Sequence, residues 1–220
     1  MVPTDKLRDY NMVIWDWNGT LLNDLWLALE VANGMLRRRD LPVMDQQRYR
    51  EIFAFPVSEY YRIAGFDFEA EPFPVLADEF IGEYNARVGE CRLQECAREL
   101  LEQLGDAAVR QVVLSASRQT SLYDAIGHHG VLDRFEILQG LNDHFAVSKT
   151  AAGRRLVAES GADPSRAVMV GDTTHDFEVA REIGVECVLV GCGHQSTERL
   201  RATGAMVFGS LAELHDYWFR

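Results

Sequence analysis

The sequence predicts an α/β protein in three layers, a parallel sheet with helices on both faces, interrupted by a small helical insertion. Six short apolar runs rich in Val and Ile recur along the chain, and five of them break off at Asp, Ser or Gly. They are Met12–Trp15, Gln111–Leu114, Phe135–Leu138, Ala167–Val170, Cys187–Val190 and Met206–Phe208. Amphipathic stretches such as Thr150–Ser160 and Thr174–Ile183 lie between them. Between the first run and the second, about 70 residues carry no strand-like run at all, which is too long for a loop.

Each element follows from one of these patterns. A strand covered on both faces reads as a continuous apolar run rather than an alternating one, so the six runs are expected as buried parallel strands. Helices alternating with them must cover the two faces of the sheet. The long gap reads as helices over Asp24–Arg38, Gln46–Phe53, Val57–Ile63 and Phe73–Arg87, punctuated by Pro42, Pro56, Pro72 and Pro74. A core domain of residues 1–22 and 93–220 and a helical domain of residues 23–92 are therefore expected.

Composition narrows the function. With 220 residues, 47% of them hydrophobic, the chain can bury one full core and a small second one. A net charge of −12 argues against nucleic acid or an anionic membrane as partner. No apolar run approaches the roughly 20 residues that cross a bilayer. The polar segment Met1–Asn11 lacks the apolar stretch of a secretion signal, so a cytoplasmic location is expected. Cys91 and Cys96, and Cys187 and Cys192, are spaced wrongly for a zinc knuckle and read as buried cysteines outside any disulfide framework. Nothing in the composition sets an oligomeric state.

In open α/β sheets ligands bind beyond the carboxyl ends of the strands. The first strand is followed by Asp16-Trp17-Asn18-Gly19-Thr20-Leu21, the second by Ser115-Ala116-Ser117-Arg118, and the fourth by Gly171-Asp172-Thr173-Thr174-His175-Asp176. Lys149 opens the helix before that fourth strand. Two strand-end carboxylates with a hydroxyl and a lysine suit Mg²⁺ and a phosphate, because Mg²⁺ takes one or two carboxylates, water and a phosphate oxygen. Plainer readings stand beside this one. Asp16 also reads as a helix cap, Asp172 and Asp176 as turn and N-cap residues, His175 as a surface residue, and His128-His129 as a solvated turn. Lys149 has an argument of its own. The chain holds 20 Arg and 2 Lys, so a generic cation here would more often be Arg, whereas a compact ammonium specifies Lys.

Together these residues resemble the four motifs of the haloacid dehalogenase-like superfamily. Asp16-Trp17-Asn18-Gly19-Thr20 resembles its first motif, Ser115 its second, Lys149 its third, and Gly171-Asp172 with Asp176 its fourth. The insertion falls where that family's helical cap falls. In layout, and in Phe55-Pro56-Val57 with Gly65 downstream, the chain is similar to phosphoglycolate phosphatase-like members. The resemblance implies a Mg²⁺-dependent phosphatase acting on a small phosphorylated metabolite, with Asp16 as nucleophile forming an aspartyl-phosphate. Mg²⁺ would be held by Asp16, the main-chain carbonyl of Asn18, and Asp172. Thr20 and Ser115 would donate to the phosphoryl oxygens, Lys149 would neutralise their charge, and Asp176 would orient Lys149 or a metal-bound water.

One residue departs from the pattern. Asn18 stands where phosphatases of the family carry the aspartate that protonates the leaving oxygen and then activates water; an amide does neither. That service is worth ~10²–10⁴-fold. A slow or leaving-group-selective phosphatase is therefore expected, with Asp24, His175 or the substrate as sources of the missing proton. The alternative is a non-catalytic member that binds a phosphorylated ligand or a protein partner. The inserted segment contains no lysine, which disfavours the Schiff-base chemistry of some relatives. Phe53, Phe55, Pro56, Tyr60, Tyr61 and Arg62 read either as a wall of the active site or as the core of the insertion. Arg118 reads either as a contact to an anionic substrate or as the exposed first turn of a helix.

Overall fold

The computed structural model of the chain describes residue 7, residues 9–141 and residues 149–220. Residues 1–6 of the polar N-terminal segment, with Lys6, lie outside the described residues. Six parallel strands form the main sheet: β1 (Met12–Trp15), β4 (Arg110–Arg118), β5 (Ile137–Leu141), β6 (Ala167–Gly171), β7 (Glu186–Val190) and β8 (Met206–Phe208). Their order across the sheet is β5-β4-β1-β6-β7-β8. The first strand is thus central, with β4 and β6 as its neighbours, and that order brings three strand ends together.

The sheet's two-residue period separates two cores. Val13, Trp15, Val113, Val168, Val170, Val188 and Val190 point to one face, where they meet α5 (Ala97–Asp106), α6 (Gln119–His128) and α10 (Leu211–Phe219). Met12, Ile14, Val112, Leu114, Met169 and Leu189 point to the other, against α7 (Lys149–Ser160), α8 (Thr174–Ile183) and the short α9 (Thr197–Arg201). Burial on both sides is the physical reason these strands read as unbroken apolar runs.

Between β1 and β4 lie four helices, α1 (Leu25–Arg37), α2 (Gln46–Ile52), α3 (Val57–Ala64) and α4 (Phe73–Arg87). They are entered and left through a two-stranded antiparallel ribbon, β2 (Leu22–Asn23) and β3 (Arg92–Leu93), in which Leu22 pairs Leu93 and Asn23 pairs Arg92. α2 begins with Asp45 accepting from the Arg48 amide, and α3 ends at Gly65 with φ +107°. α1 and α4 are tied by Arg38 and Arg39, which pair with Glu71, Glu79 and Glu83.

Two expected elements move. β4 continues four residues past its apolar run, to Arg118, with a register irregularity between Leu114 and Arg118. β5 starts at Ile137 rather than Phe135, because Leu132–Arg134 form a 3₁₀ turn that Phe135 closes. Among the described residues no helix is long and apolar enough to cross a membrane.

Candidate active site

The chain turns sharply after β1. Gly19 adopts φ +77°, in the left-handed region open to glycine, and a Cβ there would lie 2.3 Å from Asp172 Oδ2. The turn delivers Asp16 and Thr20 to the end of β6. Thr20 Oγ1 lies 3.3 Å from Asp16 Oδ2 and 3.0 Å from Asp172 Oδ1. After β6, Thr173 caps α8, and Asp176 completes the capping box by accepting from the Thr173 amide at 3.0 Å and its hydroxyl at 2.7 Å. The other Asp176 oxygen accepts from Lys149 Nζ at 2.6 Å, and the same ammonium donates to Asp16 Oδ1 at 2.5 Å. Asp176 is therefore a capping residue and an anchor for Lys149 at once.

Asp16, Asp172 and Asp176 are all buried and offer oxygens within 4.8 Å of one another. Two glycines make room for Asp172: a Cβ at Gly193 would stand 2.1 Å from its Oδ2, as one at Gly19 would stand 2.3 Å from it. Burial pushes the Asp16 carboxyl up to about 8; Lys149 opposes this, and Asp176 and Asp172 reinforce it. Asp172 is pushed up to about 6, by burial and Asp176 against the pull of His194. Burial also works against the Asp176 carboxylate and the Lys149 ammonium. Asp16 and Asp176 together outweigh it for Lys149, which stays above its ordinary range, and Lys149 outweighs it for Asp176, which stays below. Three carboxyl groups around one lysine resist ionising together, and a divalent cation among them relieves that repulsion. The donor set, all oxygen, suits a hard cation.

Asn18 lies beside this cluster in a fixed setting. Its Oδ1 accepts from the Ser117 hydroxyl at 2.8 Å, and its Nδ2 donates to Asp24 Oδ2 at 3.0 Å and to the Tyr84 hydroxyl at 2.8 Å. Asp24 accepts two further strong contacts, from the Gly19 amide at 2.7 Å and from Tyr84 at 2.5 Å, and His194 Nε2 stands 3.3 Å from it. Burial opposes the Asp24 charge, yet His194, Tyr84 and Asn18 hold its carboxyl below the usual range. Burial pulls His194 down, and Asp24, Asp172 and Asp16 outweigh it, to about 9. Asp24 is thus an ionised anchor whose oxygens are occupied, a poor candidate for the missing acid. His175 instead stacks on Phe55 at 4.6 Å between ring centroids and faces Glu178.

A cavity of about 310 Å³ opens over the cluster. Asp16, Asn18, Ser115, Lys149, Asp172 and Asp176 line it, and Thr20 does not. Ser115 Oγ accepts from the Ser117 amide at 3.1 Å. The aromatic segment of the insertion divides: Phe53 and Phe55 line the cavity, whereas Tyr60 and Tyr61 are buried in the core and Arg62 is exposed over Phe68. Arg118 is exposed at the N-cap position of α6 and lines the cavity.

Sequence reasoning missed Tyr84, Ser117, Tyr49 and His194. The rule of strand ends, applied to β7, leads to Gly191-Cys192-Gly193-His194-Gln195, and a histidine there was the available signal. Its backbone amide donates to Asp172 Oδ2 at 2.6 Å, and its Nδ1 meets the Tyr49 hydroxyl at 3.0 Å. No local pattern announces Tyr84.

A parallel sheet whose central strand ends in Asp16, with Lys149 and Asp172 closing on it, defines the class. The chain belongs to the haloacid dehalogenase-like hydrolases, whose family model matches residues 13–190. Among curated proteins it is similar to the phosphoglycolate phosphatase of Caulobacter vibrioides, 30% identical over 212 residues, covering 90% of this chain and 87% of that one. It is similar also to the tyrosine-protein kinase PtkA of Mycobacterium tuberculosis, 27% identical over 207 residues, covering 93% of this chain and 70% of the relative. Among solved structures, a haloacid dehalogenase-like hydrolase from Streptococcus pneumoniae superposes with TM-score 0.82 at 17% identity, over 96% of this chain and 99% of that one.

Proposed function

We propose that the protein is a Mg²⁺-dependent phosphomonoester hydrolase with Asp16 as its nucleophile. The observation that carries this reading is the contact of Lys149 Nζ with Asp16 Oδ1 and Asp176 Oδ1, at 2.5 and 2.6 Å, inside a buried triad of carboxylates. Asp16 attacks phosphorus, the ester bond breaks, and water then hydrolyses the aspartyl-phosphate. Asp16, Asp172 and the main-chain carbonyl of Asn18 would hold Mg²⁺, which when bound supplies positive charge to the phosphoryl oxygens. Lys149 adds a second positive charge, fixed by Asp176. Ser115 donates to a phosphoryl oxygen, and Thr20 keeps the two carboxylates in register. Residues 23–92 act as a cap domain that excludes water and supplies the substrate-facing wall, hinged at the β2–β3 ribbon. The curated relatives named above are a phosphatase and a kinase, activities that share transfer of a phosphoryl group.

Asn18 favours a second reading, in which the protein binds a phosphorylated ligand without turnover; intact Asp16, Lys149 and Asp172 stand against it. The two are separated with 4-nitrophenyl phosphate, whose leaving group needs no protonation. Mg²⁺-dependent turnover is expected, and Asp16→Asn should lower it by at least ~10³-fold while leaving the circular dichroism unchanged. Turnover near the native level in that variant rules out Asp16 as nucleophile. Ligand binding without any turnover establishes the second reading.

A further inference from the structure

Two independent features of the cavity bear on its substrate. The first is the saturation of Asn18. Its amide is held by Ser117, Asp24 and Tyr84 at 2.8, 3.0 and 2.8 Å, and the Tyr84 proton is itself committed to Asp24. Among the described residues, Asn18 and the three groups that hold it therefore offer no proton free to transfer. The second is the wall supplied by the inserted helices. Phe53, Phe55, Phe73, Phe80 and Ile81 line it, and among the described residues the charged ones added beyond the catalytic cluster and the Asp24–His194 pair are Asp78 and Arg118. A carboxylate-bearing alkyl phosphate would place its second charge against aromatic rings with one cation at the rim. A flat apolar group would find ring faces and edges to pack on.

We infer that the substrate is an aryl phosphate monoester, bound with its ring among the phenylalanines and its phosphate at Asp16. This rests on the hydrolase reading above. In the first step a carboxylate oxygen of Asp16 forms a bond to phosphorus and the P–O(aryl) bond breaks. The electron pair stays on the phenolic oxygen, which takes a proton from solvent after release. A phenol has a pKa of about 10, whereas an alkoxide's conjugate acid lies near the 15.7 of water. The phenolate therefore departs without the acid that Asn18 cannot be. The cavity of about 310 Å³ is at the small end of the range for small-molecule sites, roughly 300–1,000 Å³, and suits a single ring.

The test compares kcat/KM for phenyl phosphate and O-phosphotyrosine with kcat/KM for ethyl phosphate and phosphoglycolate, all at saturating Mg²⁺, in the native protein, Phe80→Ala and Asp16→Asn. The aryl esters should be favoured by at least ~10²-fold, the lower bound of a missing general acid. Phe80→Ala should cut that preference by about tenfold, the worth of one aromatic contact. Alkyl esters hydrolysed within ~10²-fold of the aryl ones, with turnover lost in Asp16→Asn, would overturn the substrate class and leave the hydrolase standing. An aryl preference untouched by Phe80→Ala overturns the assignment of the wall. Turnover that survives Asp16→Asn, or none with any ester, overturns the hydrolase reading and the substrate class with it.

Discussion

Asn18 is the residue on which the chemistry turns. An amide beside an ionised carboxylate can donate and accept, but it carries no transferable proton. Replacing it with aspartate would set two carboxyls about where Asn18 Nδ2 and Asp24 Oδ2 now meet at 3.0 Å. Like charges that close share a proton, so one pKa of the pair rises, which is the condition for a general acid. Asn18→Asp should therefore raise kcat/KM for alkyl phosphates by ~10–10³-fold and for aryl phosphates by less. The aspartyl-phosphate, trapped by acid quench, should also shorten in lifetime, because water regains a base. The double variant Asn18→Asp/Asp24→Asn restores one amide–carboxylate pair with the roles exchanged, and separates acid chemistry from loss of the hydrogen bond. An alkyl-to-aryl ratio that stays constant or falls in Asn18→Asp means that another group already supplies the proton.

At the scale of elements, the loop after β7 ties the inserted helices to the sheet. Arg199, on α9, donates to the carbonyls of Arg50, Glu51 and Phe53 at 3.1, 2.9 and 2.7 Å, the open C-terminal carbonyls of α2. Gln195 donates to the Phe53 carbonyl as well, and Arg50 returns two bonds to the carbonyls of Gly193 and Cys192. Arg199→Ala removes this donor from the Arg50 and Glu51 carbonyls and leaves the Phe53 carbonyl to Gln195 alone, in a partly buried seam. A loss of ~1.5–3 kcal/mol in chemical denaturation is expected, with a rise in KM because Tyr49 and Phe53 sit on the freed element. A stability within ~0.5 kcal/mol of native would show that solvent replaces the guanidinium without cost. None of this seam is legible in the sequence, because its donors and acceptors lie 142–149 positions apart. β1, β6 and β7 are legible because burial on both faces makes their runs solidly apolar. β5, half-buried at the edge of the sheet, is displaced by two residues, and the β2–β3 ribbon has too few residues to show a pattern. Asp16, Asp172 and Lys149 are legible because strand ends and a helix start mark them, whereas Tyr84 and Asp24 meet across 60 residues through the packing of α1 and α4.

For the whole molecule, the acidic triad sets stability against function. Asp16 ends β1, Asp172 and Asp176 follow β6, and Lys149 opens α7, so the charge imbalance sits where the central strands and a flanking helix join. Metal binding should therefore stabilise the folded chain as a unit. At about 100 times its Kd a ligand contributes ~2.7 kcal/mol, and in a chain of this size that raises Tm by roughly 5–10 °C. Asp172→Asn tests the physical cause as well as the ligand. The amide oxygen can still accept from the His194 amide, which now reaches Asp172 at 2.6 Å, while the buried negative charge of Asp172 is gone. In EDTA the variant should melt at or above the native temperature, because burial and Asp176 both work against the Asp172 charge. With Mg²⁺ it should gain little, since a neutral amide is a weaker ligand for a hard cation. Scanning calorimetry with and without Mg²⁺ reads both effects. A Mg²⁺-induced shift as large as the native one would remove Asp172 from the ligand set. A variant that melts well below native protein in EDTA would mean that the attraction between Asp172 and His194, rather than repulsion within the triad, governs the metal-free site.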